Sequence, residues 1–233
     1  MKAQRIRIRY RVTPAAAGLS QRDLVNAWVE AAKGAGLPLA YSEGKRPAPQ
    51  IALAAPLPLN VTSEAELVDI FVSERVEPLG VVSRLAPSLP EGIEACSAEE
   101  VGVNAASLQS QLRWAEYEVA VPITACSERD LGMSIERLLA AQTFPAEYRR
   151  ETRVRSYDLR PLILGLRLQQ ETEDELKLLM RLRAEAENTA RADQVLIALG
   201  VPEPHRIHRR RLALEEIQPA VAAYRRAGEP EGV

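Results

Sequence analysis

Cysteine and histidine are scarce in this 233-residue chain. Cys96 and Cys126 lie far apart without a C-x-x-C spacing, and His205 and His208 are distant from both. A structural zinc centre needs four converging soft or imidazole ligands in paired spacing, so none is expected. Two unpaired, buried thiols are the simpler reading for a chain without an export signal. Aromatics make up only 4% of residues, which leaves little material for rows of base-stacking rings. No apolar run approaches the roughly 20 residues of a membrane helix, so no membrane partner is expected. Met1-Lys2-Ala3-Gln4-Arg5 opens on charge instead of an apolar leader, and a cytoplasmic location is the default expectation. Net charge is also nearly absent, at −2 from 30 Lys/Arg and 32 Asp/Glu. Neither a globally basic nucleic-acid binder nor an acidic disordered tail follows from that balance. G-x-S-x-G, H-E-x-x-H and glycine-rich phosphate loops are missing too, and no metal, cofactor or catalytic residue is assigned.

What is present is regional. Residues 1–50 carry nine Lys/Arg against three Asp/Glu, residues 51–104 two against nine, and residues 147–211 fourteen against eleven. Arg5-Ile6-Arg7-Ile8-Arg9-Tyr10-Arg11-Val12 alternates strictly, the signature of a strand with one arginine face and one apolar face. Ser20 and Asp23 form a capping-box pattern that predicts a helix over 20–35, ended by Gly36. Strands near 50–58, 66–74 and 92–103 and a helix at 77–87 complete a β-α-β-β-α-β order. The second half reads similarly, with strands at 114–122, 151–158, 161–169, 175–184 and 205–214 and helices at 128–142 and 191–200, one strand more than a strict repeat. The expected fold class is α+β: two tandem ferredoxin-like units with antiparallel sheets, 1–104 and 105–214, followed by a C-terminal helix and tail at 215–233.

The run Gly36-Leu37-Pro38-Leu39-Ala40-Tyr41-Ser42-Glu43-Gly44, with Pro56-Leu57-Pro58-Leu59, Asp158-Leu159-Arg160-Pro161-Leu162-Ile163 and Arg206-Ile207-His208-Arg209, resembles the bacterial radical SAM-linked proteins. The resemblance covers most of the chain. It implies an accessory protein that partners a radical SAM enzyme and has no established activity of its own. The three-cysteine C-x-x-x-C-x-x-C cluster of such enzymes is missing, so this chain is not one itself. Where the family reads G-F-N-P-H-P-K, this chain has Gly44-Lys45-Arg46-Pro47-Ala48-Pro49-Gln50, which removes the histidine near Ala48.

Four basic groups are candidate anion or nucleic-acid sites. Arg5, Arg7, Arg9 and Arg11 place guanidiniums about 6.5–7 Å apart along a strand, and the competing reading is a solvated strand face paired with acidic neighbours such as Glu66 or Asp69 on adjacent strands. Exposed aromatics are missing from that strand's arginine face. Tyr41, Ser42, Lys45 and Arg46 form a loop able to hold an anion, or a surface turn stiffened by Pro47 and Pro49. Arg153, Arg155 and Arg160, and then His208, Arg209 and Arg210, continue the basic theme or form a charged strand edge. Trp28 and Trp114 read as core or interface anchors, and the carboxylates of 171–175 as a solvated turn.

Three functions compete. The first is a non-catalytic module that serves a radical SAM enzyme and binds RNA, the first class to test by fold analogy, through an arginine-lined surface. The second is an enzyme acting on a small anion in a cleft between the units, lined by Tyr41, Lys45, Arg46 and Arg160. The third is a structural adaptor with an exposed apolar patch.

Overall fold

The structure, a computed structural model, describes residues 2–150, 153–170, 172–201 and 203–215. The predicted C-terminal helix therefore lies outside the described residues apart from Glu215. The fold is mixed α+β with a mostly antiparallel sheet, and its first half begins with β1 (Gln4–Val12), α1 (Gln21–Gly34), β2 (Ile51–Leu53) and β3 (Val61–Val72). Helix α2 (Val81–Leu85) and β4 (Ile93–Val101) complete that half. Ser20 accepts from the Asp23 backbone N–H and Asp23 accepts from that of Ser20, the reciprocal cap that the sequence predicts. The apolar side of β1 then packs on α1, with Trp28 edge-on to Tyr10 at 5.0 Å between ring centroids.

A linker with one short helical turn, α3 (Leu108–Gln111), leads to β5 (Leu112–Pro122) and α4 (Glu128–Ala140). The hairpin β6 (Pro145–Arg150) and β7 (Arg153–Asp158) follows, then β8 (Ile163–Gln170), β9 (Glu175–Arg183), α5 (Ala192–Leu199) and β10 (Arg206–Leu214). The strand order is β4-β1-β3-β10-β5-β9-β8, with β2 also on β3 and the β6–β7 hairpin forming a sheet of its own. Within each half all neighbours are antiparallel; β3 and β10 join the halves in parallel, at Val61–Ser63 against Ile207–Arg209.

Several boundaries differ from the sequence reading for physical reasons. Strand β2 is only three residues long, because Pro56 and Pro58 offer no N–H to a ladder. Strand β3 starts at Val61, just after the left-handed turn at Asn60, and a register shift opposite Tyr10 and Val12 obscures its alternation. Helix α2 starts only after Pro78 and Gly80. The extra strand of the second half proves to be half of an inserted hairpin. Cys96 is exposed, not buried.

Ser63 stands opposite Val12 on β1 and Arg209 on β10, and Arg209 stands opposite the buried Tyr117 on β5. The packed sides of both halves therefore lie on one face of the sheet, where α1 and α2 cover the first half and α4 and α5 the second. Among the described residues the opposite face is open except where the linker crosses it. There Arg5 donates to the carbonyls of Ala105 (2.9 Å) and Ala106 (3.1 Å), and Gln109 donates to the Leu53 carbonyl.

Candidate functional site

The four β1 arginines do not share one environment. Arg5 and Arg7 are buried and both grip Asp69, which is fully buried, through Arg5 Nε (2.8 Å), Arg7 Nε (2.9 Å) and Arg7 Nη2 (3.1 Å). The acidic partner is the expected Asp69, but the face is not solvated: the linker closes over both arginines, and its Ala105 and Ala106 carbonyls and Gln111 Oε1, 3.4 Å from Arg7 Nη1, join the shared carboxylate in offsetting the cost of burying two cations. Arg9 and Arg11 remain exposed, and among the described residues neither forms an ion pair.

The basic group on β10 also divides. Arg209 is buried on the helix side, donating to both oxygens of Glu66 (2.7 and 2.6 Å), to the Tyr117 hydroxyl (3.4 Å) and to the Pro56 carbonyl (3.1 Å). Burial works against its charge, but Glu66 outweighs it and holds the guanidinium above its ordinary range; burial, then Glu66, also pushes the Tyr10 phenol up. Arg209 thus joins the halves and is withdrawn from any surface.

His208 and Arg210 point the other way. With Arg11 they enter a cleft of about 660 Å³ on the open face, lined also by Lys177, Arg206, Glu64, Glu118 and Thr62. Glu118 lies 3.4 Å from Arg206, 3.5 Å from Arg210 and 3.8 Å from Lys177. Glu118 thus faces three cations, and Glu64 lies 3.5 Å from Arg210 Nε as well. His208 Nδ1 is 2.8 Å from Thr62 Oγ1 and its Nε2 is 4.0 Å from Glu64. Burial, assisted by Arg206 and Arg210 and opposed by Glu64 and Glu118, lowers its pKa below the usual histidine value.

Farther along β10 a second open-face cleft, of about 520 Å³, is lined by Arg7, Arg9, Arg113, Trp114, Arg211 and Glu99 among others. Trp114 is half-buried there and not a core anchor; the guanidiniums of Arg181 and Arg211 lie 4.6 and 5.1 Å from its ring centroid. Sequence reasoning gives Trp114 only as a core or interface anchor, takes in Arg206 and Arg211 only as part of the run from His205 to Arg211, and misses Arg113 and Lys177. The available signal was parity, since Trp114 shares the polar face of β5 with Glu116 and Glu118.

The remaining predicted residues lie elsewhere. Tyr41 bridges to Pro49, Ser42 Oγ accepts from the Ala48 N–H (3.0 Å), and Lys45 and Arg46 are exposed in the bend between them. Arg160 donates to the carbonyls of Leu139 (2.9 and 3.1 Å) and Ile163 (3.1 Å), fastening the end of α4 to the start of β8. Neither group lines the two clefts, so the cleft set of Tyr41, Lys45, Arg46 and Arg160 does not assemble at either of them. The side chains of Arg153 and Arg155 lie outside the described set, although their backbone forms β7. Among the described residues no group of three or more His, Cys, Asp or Glu is arranged to hold a metal, and no helix is long and apolar enough to cross a membrane.

A family model described as "Uncharacterized protein conserved in bacteria (DUF2344)" matches residues 5–192. The chain belongs to this family. For this family member, β10 with Arg206, His208 and Arg210 lies beyond the matched span. No curated protein matches. Among solved structures, it is similar to a chain in the "Crystal Structure of a Cbf5-Nop10-Gar1 Complex", with a TM-score of 0.51 and 11% identity over 89% of this chain and 48% of that one. A second, in the "Structure of H/ACA RNP bound to a substrate RNA containing 2'-deoxyuridine", has a TM-score of 0.44 and 11% identity over 88% and 46%. The chain spans about half the length of these structural relatives, and at this identity the first likeness is one of fold.

Proposed function

We propose that this protein is a non-catalytic binding module of two tandem ferredoxin-like units that takes single-stranded RNA on its open sheet face and serves a radical SAM enzyme. The observation that carries the reading is the row of arginines along β10, with His208 set among them. Arg206, His208 and Arg210 in one cleft and Arg211 in the next span about 17 Å at strand rise, flanked by Arg11 and Arg9 of β1. Trp114 supplies the aromatic surface that β1 lacks, and a half-exposed tryptophan among guanidiniums suits unpaired bases better than a duplex. We draw the boundary between the two units at 104–105, between β4 and α3. The radical SAM partnership rests on the family resemblance alone.

The strand orders support the tandem reading. Counting each half's own strands and leaving out the hairpin, β4-β1-β3-β2 and β10-β5-β9-β8 both run fourth, first, third, second. The test is fluorescence anisotropy with short single-stranded RNA at several salt concentrations, comparing the native chain with Arg11→Glu/Arg210→Glu. Salt-steep binding lost in the variant supports the module. Equal binding by the two, or none at low salt, overturns it and leaves the adaptor reading.

A further inference from the structure

The β6–β7 hairpin has no counterpart in the first half, so the repeated strand order does not require it. Ala146 pairs with Tyr157 and Tyr148 with Arg155, which puts Tyr148 and Tyr157 on the same hairpin face as diagonal neighbours. With Leu162, Asn188 and Arg191 they line a cavity of about 370 Å³ between the hairpin, the turn after β7 and the loop before α5, within the size range of small-molecule sites.

Its walls are held in place before any ligand arrives. Arg191 is clamped by both oxygens of Asp193 (2.9 and 3.0 Å), lies 4.8 Å from the Tyr148 ring centroid and donates to the Tyr148 hydroxyl (3.3 Å). The guanidinium is therefore neutralised, and it braces the tyrosine instead of offering a charge. Asp158, at the cavity wall, accepts the backbone N–H groups of Phe144 (2.8 Å) and Arg160 (3.0 Å) on Oδ1 alone. Among the described residues nothing donates to its Oδ2.

We infer that this hairpin pocket is a binding site for a nucleobase, with a planar ring received between Tyr148, Tyr157 and Leu162 and an N–H edge donated to Asp158 Oδ2. Aromatic walls favour a flat π-system, and Asp158 Oδ2, to which no described protein group donates, can accept from a ring bearing N–H groups. The site is separate from the basic clefts and stands without the RNA reading.

The test titrates the full chain with the four neutral ribonucleosides, followed by saturation-transfer NMR and calorimetry. Because the probes carry no phosphate, failure of the open-face clefts would not affect the result. At least one nucleoside is expected to saturate, with little salt dependence. Asp158→Asn retains an acceptor for the two backbone bonds but turns an N–H₂ group toward the ligand, and is expected to weaken binding about tenfold or more. Tyr157→Phe should retain most of the affinity and Tyr157→Ala should lose it. Absence of saturable binding by all four nucleosides, or affinity unchanged in Asp158→Asn, overturns the inference, and both criteria hold even if the alanine variant fails to fold.

Discussion

Glu66 and Arg209 meet in a two-pronged, buried ion pair across the parallel junction of β3 and β10, so the bond between the protein's halves is electrostatic at its centre. Removing one partner leaves the other charged and out of water. Arg209→Met or Glu66→Ala is expected to cost about 3–5 kcal/mol, and the double replacement less than the sum of the two. Denaturant unfolding of the four proteins in the cycle measures this, and additivity within error would contradict it.

The β1 arginines should separate by function. Arg7→Glu sets a second carboxylate against Asp69 and is expected to destabilise the fold by several kcal/mol, so it cannot report on binding. Arg9→Glu and Arg11→Glu should leave stability within about 0.5 kcal/mol and weaken RNA binding. Melting curves alongside anisotropy distinguish the two classes; equal melting losses for Arg7 and Arg11 would refute the assignment.

Salt dependence should count the contacts. If Arg11, Lys177, Arg206 and Arg210 each neutralise one phosphate, the slope of log K against log salt is expected near −3, at about −0.7 per contact on a single strand. Arg210→Ala should reduce its magnitude by about 0.7. A slope near zero would rule out phosphate contact.

His208 gives a pH signature. Burial depresses its folded pKa below the unfolded value of about 6.5, so on acidification the unfolded chain takes up this proton first. The His208 contribution to stability is therefore intact above pH 6.5, declines as pH falls through the unfolded value, and levels off below the folded one. Comparing urea midpoints of the native chain and His208→Gln between pH 7.5 and 5.5 isolates it; the native chain should lose more stability. A bound phosphate should raise the His208 titration midpoint followed by NMR.

Parts of this arrangement were legible because local and tertiary demands agreed. The alternation of β1 and the Ser20–Asp23 cap lie within single elements, and Asp69 was a named alternative partner for the arginines because charge of that sign is concentrated in the following segment. Parity along β10 already set Arg209 beside Ile207 on the inner side, a clue that composition overrode. The start of β3 was hidden by its bulge, and β6 by Pro145 and its charges. The division of open-face cations between two clefts depends on β3 meeting β10, a pairing 146 residues apart in sequence that no local pattern encodes.

Glu66 leaves the ribosome 143 residues before Arg209. At roughly 5–20 residues per second, that is on the order of ten seconds. For that interval the first half can close its own helices over β1 and β3, yet it carries a carboxylate in its interior without the cation that makes burial tolerable. The nascent chain must keep that corner wet until β10 emerges, so commitment of the first half to its final form waits on a residue made 143 positions later.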